Sequence, residues 1–187
     1  MDDFSLYILD IVNNSTRAGA KNIRILLREE GDRLYFTVED DGCGMSEEQL
    51  QKLSDPFFTT RKTRKVGFGV AFLAMLAEMT GGYVRVRSVE AAKSERHGTV
   101  LDAAFGKDHI DFLPLGDLVG TVKTLIQGAP DTDFFYLHTQ GEKQVRLDTK
   151  ELRAILGEEI SLAEPEVLAW IGGNLEEQYA AWGGTAC

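Results

Sequence analysis

The amino-acid sequence predicts an α+β protein. Three observations support this class: the chain opens with apolar residues at helical spacing, pairs of β-prone segments follow, and further helical patterns lie between and after the strand pairs. With 43 % hydrophobic and 27 % charged residues in 187, the composition is typical of a globular protein. Collagen-like, low-complexity and disordered classes are therefore excluded.

Residues 1–106 contain a regular order of elements. Ser5 is expected to cap an opening helix that ends near Gly19, and Ser46 followed by Gln49 predicts the start of a short helix. The basic stretch 57–65 has no periodicity and predicts a loop. Strands are predicted at 22–28, 34–39, 83–89 and 99–105. Helices are predicted at 46–53 and 68–79, and the second carries an apolar stripe of Phe68, Phe72, Leu73, Leu76 and Met79.

Residues 107–187 form a second, acidic part of the predicted organisation. The patterns predict helices at 115–126, 150–156 and 164–182, and a hairpin of strands 134–138 and 144–147 across Gly141. We expect a division into 1–106 and an α+β appendage at 107–187. A small separate domain and edge strands docked onto the first sheet are both compatible with the pattern.

Charge and cysteine content exclude several function classes. The net charge of −10 argues against general nucleic-acid binding, which depends on cations that neutralise phosphates. Residues 107–187 hold 6 basic and 14 acidic residues, which suits either contact with a basic partner or solubility alone. Cys43 and Cys187 lack the spacing of a zinc site or a disulfide framework.

No membrane association or export is expected from the sequence. The longest apolar stretch, residues 66–77, is much shorter than the ~20 residues of a membrane span, and the N-terminus lacks a basic signal region. We therefore expect a cytoplasmic protein.

The opening helix carries the first candidate motif. Asp10 and Asn14 lie four residues apart, so they share a helical face, and Arg17 follows one turn later on the same side. An amide oxygen suits Mg²⁺, a carboxylate can take a proton, and a guanidinium suits phosphate. A solvated helix face is the alternative interpretation.

Three glycine-containing motifs follow in order. Asp40 ends a strand before Gly42, Gly44 and Met45, where a carboxylate can accept a hydrogen bond from an exocyclic amine and glycines allow close backbone approach. The other two motifs are Gly67-Phe68-Gly69, before a long helix whose N-terminus favours an anion, and Gly98-Thr99, which enters the last strand of this half. Taken singly, each is compatible with an ordinary turn or strand start.

In this order and at these intervals, the four motifs resemble the GHKL superfamily of ATP-binding domains, which includes DNA gyrases, heat-shock chaperones, histidine kinases and mismatch-repair proteins. The resemblance covers residues 4–106. Residues 55–62 look like the entrance of the histidine-kinase ATP lid, and residues 79–88 resemble the strand passage that follows the second glycine box there. The resemblance implies an α/β sandwich of the Bergerat type, with a mixed sheet covered on one face by helices.

The resemblance also implies ATP and Mg²⁺ as cofactors. By it, Asn14 would coordinate the metal, Asp40 would accept the adenine amine, and Arg17 would lie near phosphate. Asp10 stands where hydrolytic and serine-kinase members carry a glutamate general base, and its side chain is one methylene shorter. The implied nucleotide-binding residues are Asn14, Arg17, Asp40, Gly42, Gly44, Met45, Thr60, Lys65, Gly67, Phe68, Gly69 and Thr99.

Three functions are compatible with this resemblance. The first is a stand-alone Mg-ATP-binding module that transfers the γ-phosphoryl group to a partner protein in signal transduction. The others are a slow ATPase and a nucleotide-gated protein-binding module without catalysis. Only nine residues precede Asp10, and none of the three histidines has the acidic-then-basic context of a phosphorylated site, so we expect the acceptor on a protein partner. A homodimer is compatible with the sequence, and no nucleic-acid partner is expected.

Overall fold

The computed structural model describes residues 3–53, 69–157 and 159–183. Six strands form one mixed sheet, and the predicted α+β class is confirmed. The strands are β1 (Asn22–Glu30), β2 (Arg33–Asp40), β3 (Tyr83–Val89), β4 (Gly98–Gly106), β5 (Asp133–Gln140) and β6 (Lys143–Asp148). The helices are α1 (Phe4–Arg17), α2 (Glu47–Leu53), α3 (Gly69–Met79), α4 (Leu118–Gly128), α5 (Thr149–Leu156) and α6 (Pro165–Ala181).

The sheet has the strand order β3-β4-β2-β1-β5-β6. All neighbours are antiparallel except β1 and β5, which pair in parallel from Asn22 opposite Asp133. The segment that contains α4 connects β4 with β5 and carries the chain across β2 and β1, so that β5 lies parallel to β1. The predicted hairpin near Gly141 therefore extends the sheet of the first half at its β1 edge, while the division at residue 106 stays a prediction.

One face of the sheet is buried beneath helices. Alternate strand residues are buried on this face and half-buried or exposed on the other, as the period of two in a strand requires. Helices α3, α1, α4 and α6 contact one another in that order and cover the buried face. Phe4 of α1 is central to this layer, because its ring makes edge contacts with Phe36 and Phe105 at centroid distances of 5.4 and 5.1 Å.

Two details of the predicted helices are corrected by the structure. The N-cap of α1 is Asp3, not Ser5, since the Asp3 carboxylate accepts the Leu6 N–H at 3.3 Å and the Ser5 hydroxyl at 2.6 Å. In α3 the predicted apolar stripe is rotated: Leu73 is buried, whereas Phe72 and Met79 are 46 % and 51 % exposed. Packing against β3, β4 and α1 selects the buried side of a helix that is apolar nearly all round. Among the described helices, none is long and apolar enough to cross a membrane.

A buried polar chain joins the two halves of the sequence. The Glu29 carboxylate of β1 accepts hydrogen bonds from His138 Nε2 of β5 at 3.0 Å and from the Lys107 ammonium at 2.8 Å. His138 Nδ1 accepts from the Tyr179 hydroxyl of α6 at 2.8 Å, and the Tyr136 and Tyr179 hydroxyls lie 2.6 Å apart. Burial raises the pKa of both tyrosines, so both hydroxyls stay protonated and able to donate.

The hydrogen bonds of Glu29 make the free energy of unfolding depend on pH in the acidic range. The His138 hydrogen bond is the largest influence on Glu29 and, with Lys107, outweighs burial and lowers the pKa of Glu29 from 4.5 to about 2. A carboxyl with a depressed folded-state pKa stabilises the fold fully above pH 4.5, and this contribution of up to about 3 kcal/mol is lost as pH falls towards 2.

We expect Glu29→Gln to lower the free energy of unfolding at pH 7 and to flatten its dependence on pH between 4.5 and 2, because the variant has no carboxylate to protonate there. Urea unfolding at a series of pH values measures both effects. The exposed ion-pair residue Glu39, changed to Gln, provides the control and should leave the slope near that of the unaltered chain. Parallel curves for Glu29→Gln and the unaltered chain would contradict this prediction.

Candidate functional site

The carboxylate of Asp40 joins three segments at one end of the sheet. Ser15 Oγ of α1 donates to its Oδ2 at 2.6 Å. Its Oδ1 accepts the backbone N–H of Gly42 at 2.9 Å and that of Thr99 at 3.2 Å. Asp40 thereby holds together the last turns of α1, the loop after β2 and the start of β4.

Asp41, the adjacent carboxylate, has a different role. It accepts the backbone N–H groups of Lys21 and Asn22 at 2.7 and 2.8 Å, and the Asn22 side-chain amide at 2.6 Å. Burial raises the pKa of Asp41, but the hydrogen bonds from Asn22 and Lys21 outweigh it and lower the pKa overall. These bonds tie Asp41 to the connection between α1 and β1.

Two glycines of the loops around Asp40 occupy positions that exclude larger residues. Gly44 has φ +70°, and a side chain there would overlap the Val89 carbonyl. Gly98 has φ +127°, and a side chain there would overlap the Asp40 carbonyl. These positions need glycine because backbone meets backbone and because L side chains rarely adopt such φ values.

The loop between β3 and β4 holds the glycine loop from the other side. His97 Nδ1 lies 2.6 Å from the Gly42 carbonyl, so this nitrogen carries the proton that is donated. Ala91 N–H donates to the Cys43 carbonyl at 2.9 Å, and Met45 N–H donates to Ser88 Oγ at 2.8 Å. Gly42, Cys43 and Met45 are therefore each held by a hydrogen bond to the end of β3 or to the loop that follows it.

Asp10 lies at the other end of the site. A side chain at Gly69, the first residue of α3, would overlap the Asp10 carboxylate, so the Asp10 side chain lies directly against the backbone at the start of α3. Asn14 is half-buried one turn further along α1, and Arg17 is exposed at the helix end. Within the described parts of the chain, the side chains of Asp10, Asn14 and Arg17 make no hydrogen bond or ion pair.

The structure thus brings most of the predicted residues around one helix. Asp10 adjoins Gly69, Asn14 lies one helical turn after Asp10, and Asp40 adjoins Gly42 and Thr99. Met45 and Gly44 lie in the same loop as Gly42 and are attached to the end of β3. The predicted residues Thr60, Lys65, Gly67 and Phe68 lie outside the described residues.

Three further residues of the site were missed at the level of sequence. Ser15 is the neighbour of Asn14, and only the docking of α1 on the sheet turns its hydroxyl towards Asp40. Ser88 could have been found from strand register, because it lies opposite Thr99, and its Oγ is 2.9 Å from Thr99 Oγ1. His97 carried no signal beyond its position before Gly98.

The fold and these motifs define an ATP-binding domain of the Bergerat type. The family model described as "Histidine kinase-, DNA gyrase B-, and HSP90-like ATPase" matches residues 2–106, and the chain belongs to this family. The predicted resemblance is therefore confirmed.

Comparisons with individual proteins agree with this family. Sensor histidine kinase ZraS of Salmonella typhimurium is 33 % identical over 92 residues, which are 48 % of this chain and 20 % of that protein. Sporulation kinase E of Bacillus subtilis is 33 % identical over 69 residues, 37 % of this chain and 9 % of that protein. This chain thus spans a fifth or less of the length of these curated relatives.

A solved structure shows the same fold over more of the chain. The Aquifex aeolicus MutL ATPase domain complexed with ADP superimposes with a TM-score of 0.55 at 13 % identity, covering 83 % of this chain and 69 % of that one. At this identity the likeness concerns the fold alone.

The site's donor set fits the nucleotide and the metal that the family implies. A carboxylate has about four acceptor positions, and three of those on Asp40 are used by Ser15, Gly42 and Thr99. One acceptor therefore stays open for a donor such as an exocyclic amine. The Asn14 amide oxygen, without a hydrogen bond in the described parts of the chain, is a suitable hard ligand for Mg²⁺.

We expect Gly98→Ala to lower the free energy of unfolding by at least about 2 kcal/mol, because the new methyl group meets the Asp40 carbonyl at an unfavourable φ. Urea unfolding followed by tryptophan fluorescence measures the loss. Gly141→Ala is the matched control: its φ is +61° and nothing lies within 4 Å, so its cost should be about 1 kcal/mol. Equal losses in the two variants would mean that the close approach at Gly98 has no energetic weight.

Proposed function

We propose that this chain binds Mg-ATP at the Asp40 site and transfers the γ-phosphoryl group to a partner protein in signal transduction. The observation that carries the proposal is the arrangement along α1, where Asp10 meets the start of α3 and Ser15 meets Asp40 about one turn later. One rigid helix thus connects the end of the site proposed for the phosphates with the end proposed for adenine. Two curated relatives are named as a sensor histidine kinase and a sporulation kinase, and these names support phosphoryl transfer.

Each proposed role follows from the chemistry of the residue. Asp40 would accept the adenine amine at its open acceptor position, beside the wall formed by Gly42, Gly44, Met45 and Thr99. Mg²⁺, when bound, neutralises phosphate charge, and we assign Asn14 as its protein ligand. Among the remaining assigned residues, Arg17 and Lys65 would bind phosphate, and Gly69 would contact it at the start of α3. Thr60, Gly67 and Phe68 are assigned to nucleotide binding as the family resemblance implies.

The phosphoacceptor is assigned to the partner. His97 is engaged with the Gly42 carbonyl and lies in the wall of the site, and His138 is 1 % exposed and bonded to Glu29. His109 interacts with Asp111 at 3.4 Å near the start of the loop after β4. These surroundings support transfer to a side chain outside this chain.

Hydrolysis is the second candidate function, and the open carboxylate of Asp10 supports it as well as transfer. Its half-buried carboxylate makes no hydrogen bond to the described residues and lies at the start of α3. An unbonded carboxylate beside a phosphate site can accept a proton from water or from a partner hydroxyl. The same residue therefore serves as general base in either reaction, and the acceptor distinguishes the two.

Incubation with γ-labelled ATP and Mg²⁺, with and without cell extract, tests the proposal. We expect label in a second protein, and we expect Asp10→Asn to reduce this transfer at least about 100-fold while nucleotide binding persists, because proton abstraction is lost and the side-chain shape is kept. Band-resolved label and nucleotide titration measure the two quantities separately.

The outcomes of this assay separate the candidate functions. Label released only as free phosphate indicates the ATPase, and bound nucleotide without any turnover indicates a nucleotide-gated binding module. Chelation of Mg²⁺ should abolish transfer in every catalytic case. Unchanged turnover in Asp10→Asn would remove Asp10 from the chemistry.

We expect Asp40→Asn to weaken ATP binding by about 10- to 100-fold, because the amide replaces one acceptor oxygen by a donor and removes the charge that strengthens the bond. A titration with a fluorescent ATP analogue measures the dissociation constant. The matched control is Glu39→Gln, one residue earlier on the opposite face of β2, which should leave binding unchanged. Equal ATP affinity in Asp40→Asn and the unaltered chain would mean that adenine binds elsewhere.

A further inference from the structure

The face of the sheet opposite the helices holds a groove of about 480 Å³. It crosses β3, β4, β2, β1 and β5, and the residues that shape it include Arg28, Tyr35, Thr37, Tyr83, Arg85 and Asp102. None of its lining residues belongs to the Asp40 site, whose side chains leave their strands on the other face. We call this cavity the open-face groove.

Strand register explains how the groove is built. One continuous row of residues crosses five neighbouring strands, because strand register pairs each member with the next. The row consists of Arg85, Asp102, Thr37, Leu26 and Leu137. The row begins with a cation at the edge strand β3 and ends with two aliphatic side chains over β1 and β5. A ligand lying along this row would meet polar groups at one end and an apolar floor at the other.

Two arginines of the groove are held in place by tyrosines. The Arg28 guanidinium lies over the Tyr35 ring at 4.1 Å, and the Arg85 guanidinium lies over the Tyr83 ring at 4.4 Å. Stacking orients the planar fork of each guanidinium before a ligand arrives, so less side-chain entropy is lost on binding. Both tyrosine rings already have a cation over one face.

The charges of the groove favour an anionic ligand. Three guanidiniums and one carboxylate line it, in a chain whose net charge is −10. Arg87 pairs with Asp102 at 2.8 Å, and Arg28 pairs with Glu30. Arg85, by contrast, has no carboxylate partner in the part of the chain that the structure describes.

We propose that the open-face groove binds a short acidic segment of a partner protein, with a carboxylate on Arg85 and an apolar side chain over Leu26 and Leu137. Guanidinium forks match carboxylates in geometry, and the groove volume of about 480 Å³ lies within the range of ligand-binding pockets. Single-stranded nucleic acid fits less well, because bases need free aromatic faces and both tyrosine rings of the groove already carry a cation.

Fluorescence polarisation with a labelled Glu-Glu-Leu-Glu-Glu peptide tests this proposal, with Gln-Gln-Leu-Gln-Gln as the uncharged comparison. We expect the acidic peptide to bind at least about tenfold more tightly than the neutral one at low salt, and to lose affinity as salt rises. Arg85→Glu should reduce its affinity at least about tenfold. Lys150→Glu, which makes the same charge change at an exposed position of α5, should leave it nearly unchanged.

Three results would overturn the proposal: equal binding of the two peptides, equal affinity in Arg85→Glu and Lys150→Glu, or tighter binding of a single-stranded oligonucleotide than of the acidic peptide. Arg85→Ala and circular-dichroism melting of each variant show whether a loss of binding reflects unfolding. ATP binding, measured in parallel, should be unaffected by Arg85→Glu because the groove lies on the other face of the sheet. The test is therefore independent of the proposed function.

Discussion

The hydrogen bonds of the Asp40 carboxylate are the constraint on which the site depends. Ser15 of α1, Gly42 of the following loop and Thr99 of β4 all donate to it, so a single side chain sets the position of a helix, a loop and a strand. A partly buried carboxylate that lacked these donors would be costly. The same bonds leave one acceptor position open, and the proposed recognition of adenine uses this position.

A second partly buried carboxylate connects the half of the sequence that holds the four motifs with the acidic second half. Glu29 reaches His138 on β5, and His138 reaches Tyr179 on α6, so the strands beyond residue 107 are tied into the sheet by polar as well as apolar contacts. The parallel pairing of β1 with β5 makes the same connection through the backbone.

Much of this architecture followed from local patterns in the sequence. Segments of β-prone residues next to turn-forming residues located all six strands. The Ser46 and Gln49 pair located the start of α2, where the structure shows the reciprocal hydrogen bonds of a capping box at 2.8 and 3.2 Å. The predictions failed where local signals compete. Asp3 and Ser5 are both good caps, and α3 is apolar on nearly every side, so only contacts with other elements select the cap and the buried face.

By itself, the sequence determined the class of fold, the family and the order of the motifs along α1, β2 and β4, because helical and strand periods and turn-forming glycines are local properties of the chain. Tertiary structure alone decided that Ser15, Ser88 and His97 belong to the site and that Asp41 serves the connection between α1 and β1. It also decided that β5 joins the sheet beside β1 and that Arg28 and Arg85 line the same groove. These facts depend on which distant segments pack together, and the free energy of that packing comes from contacts that no single stretch of sequence contains.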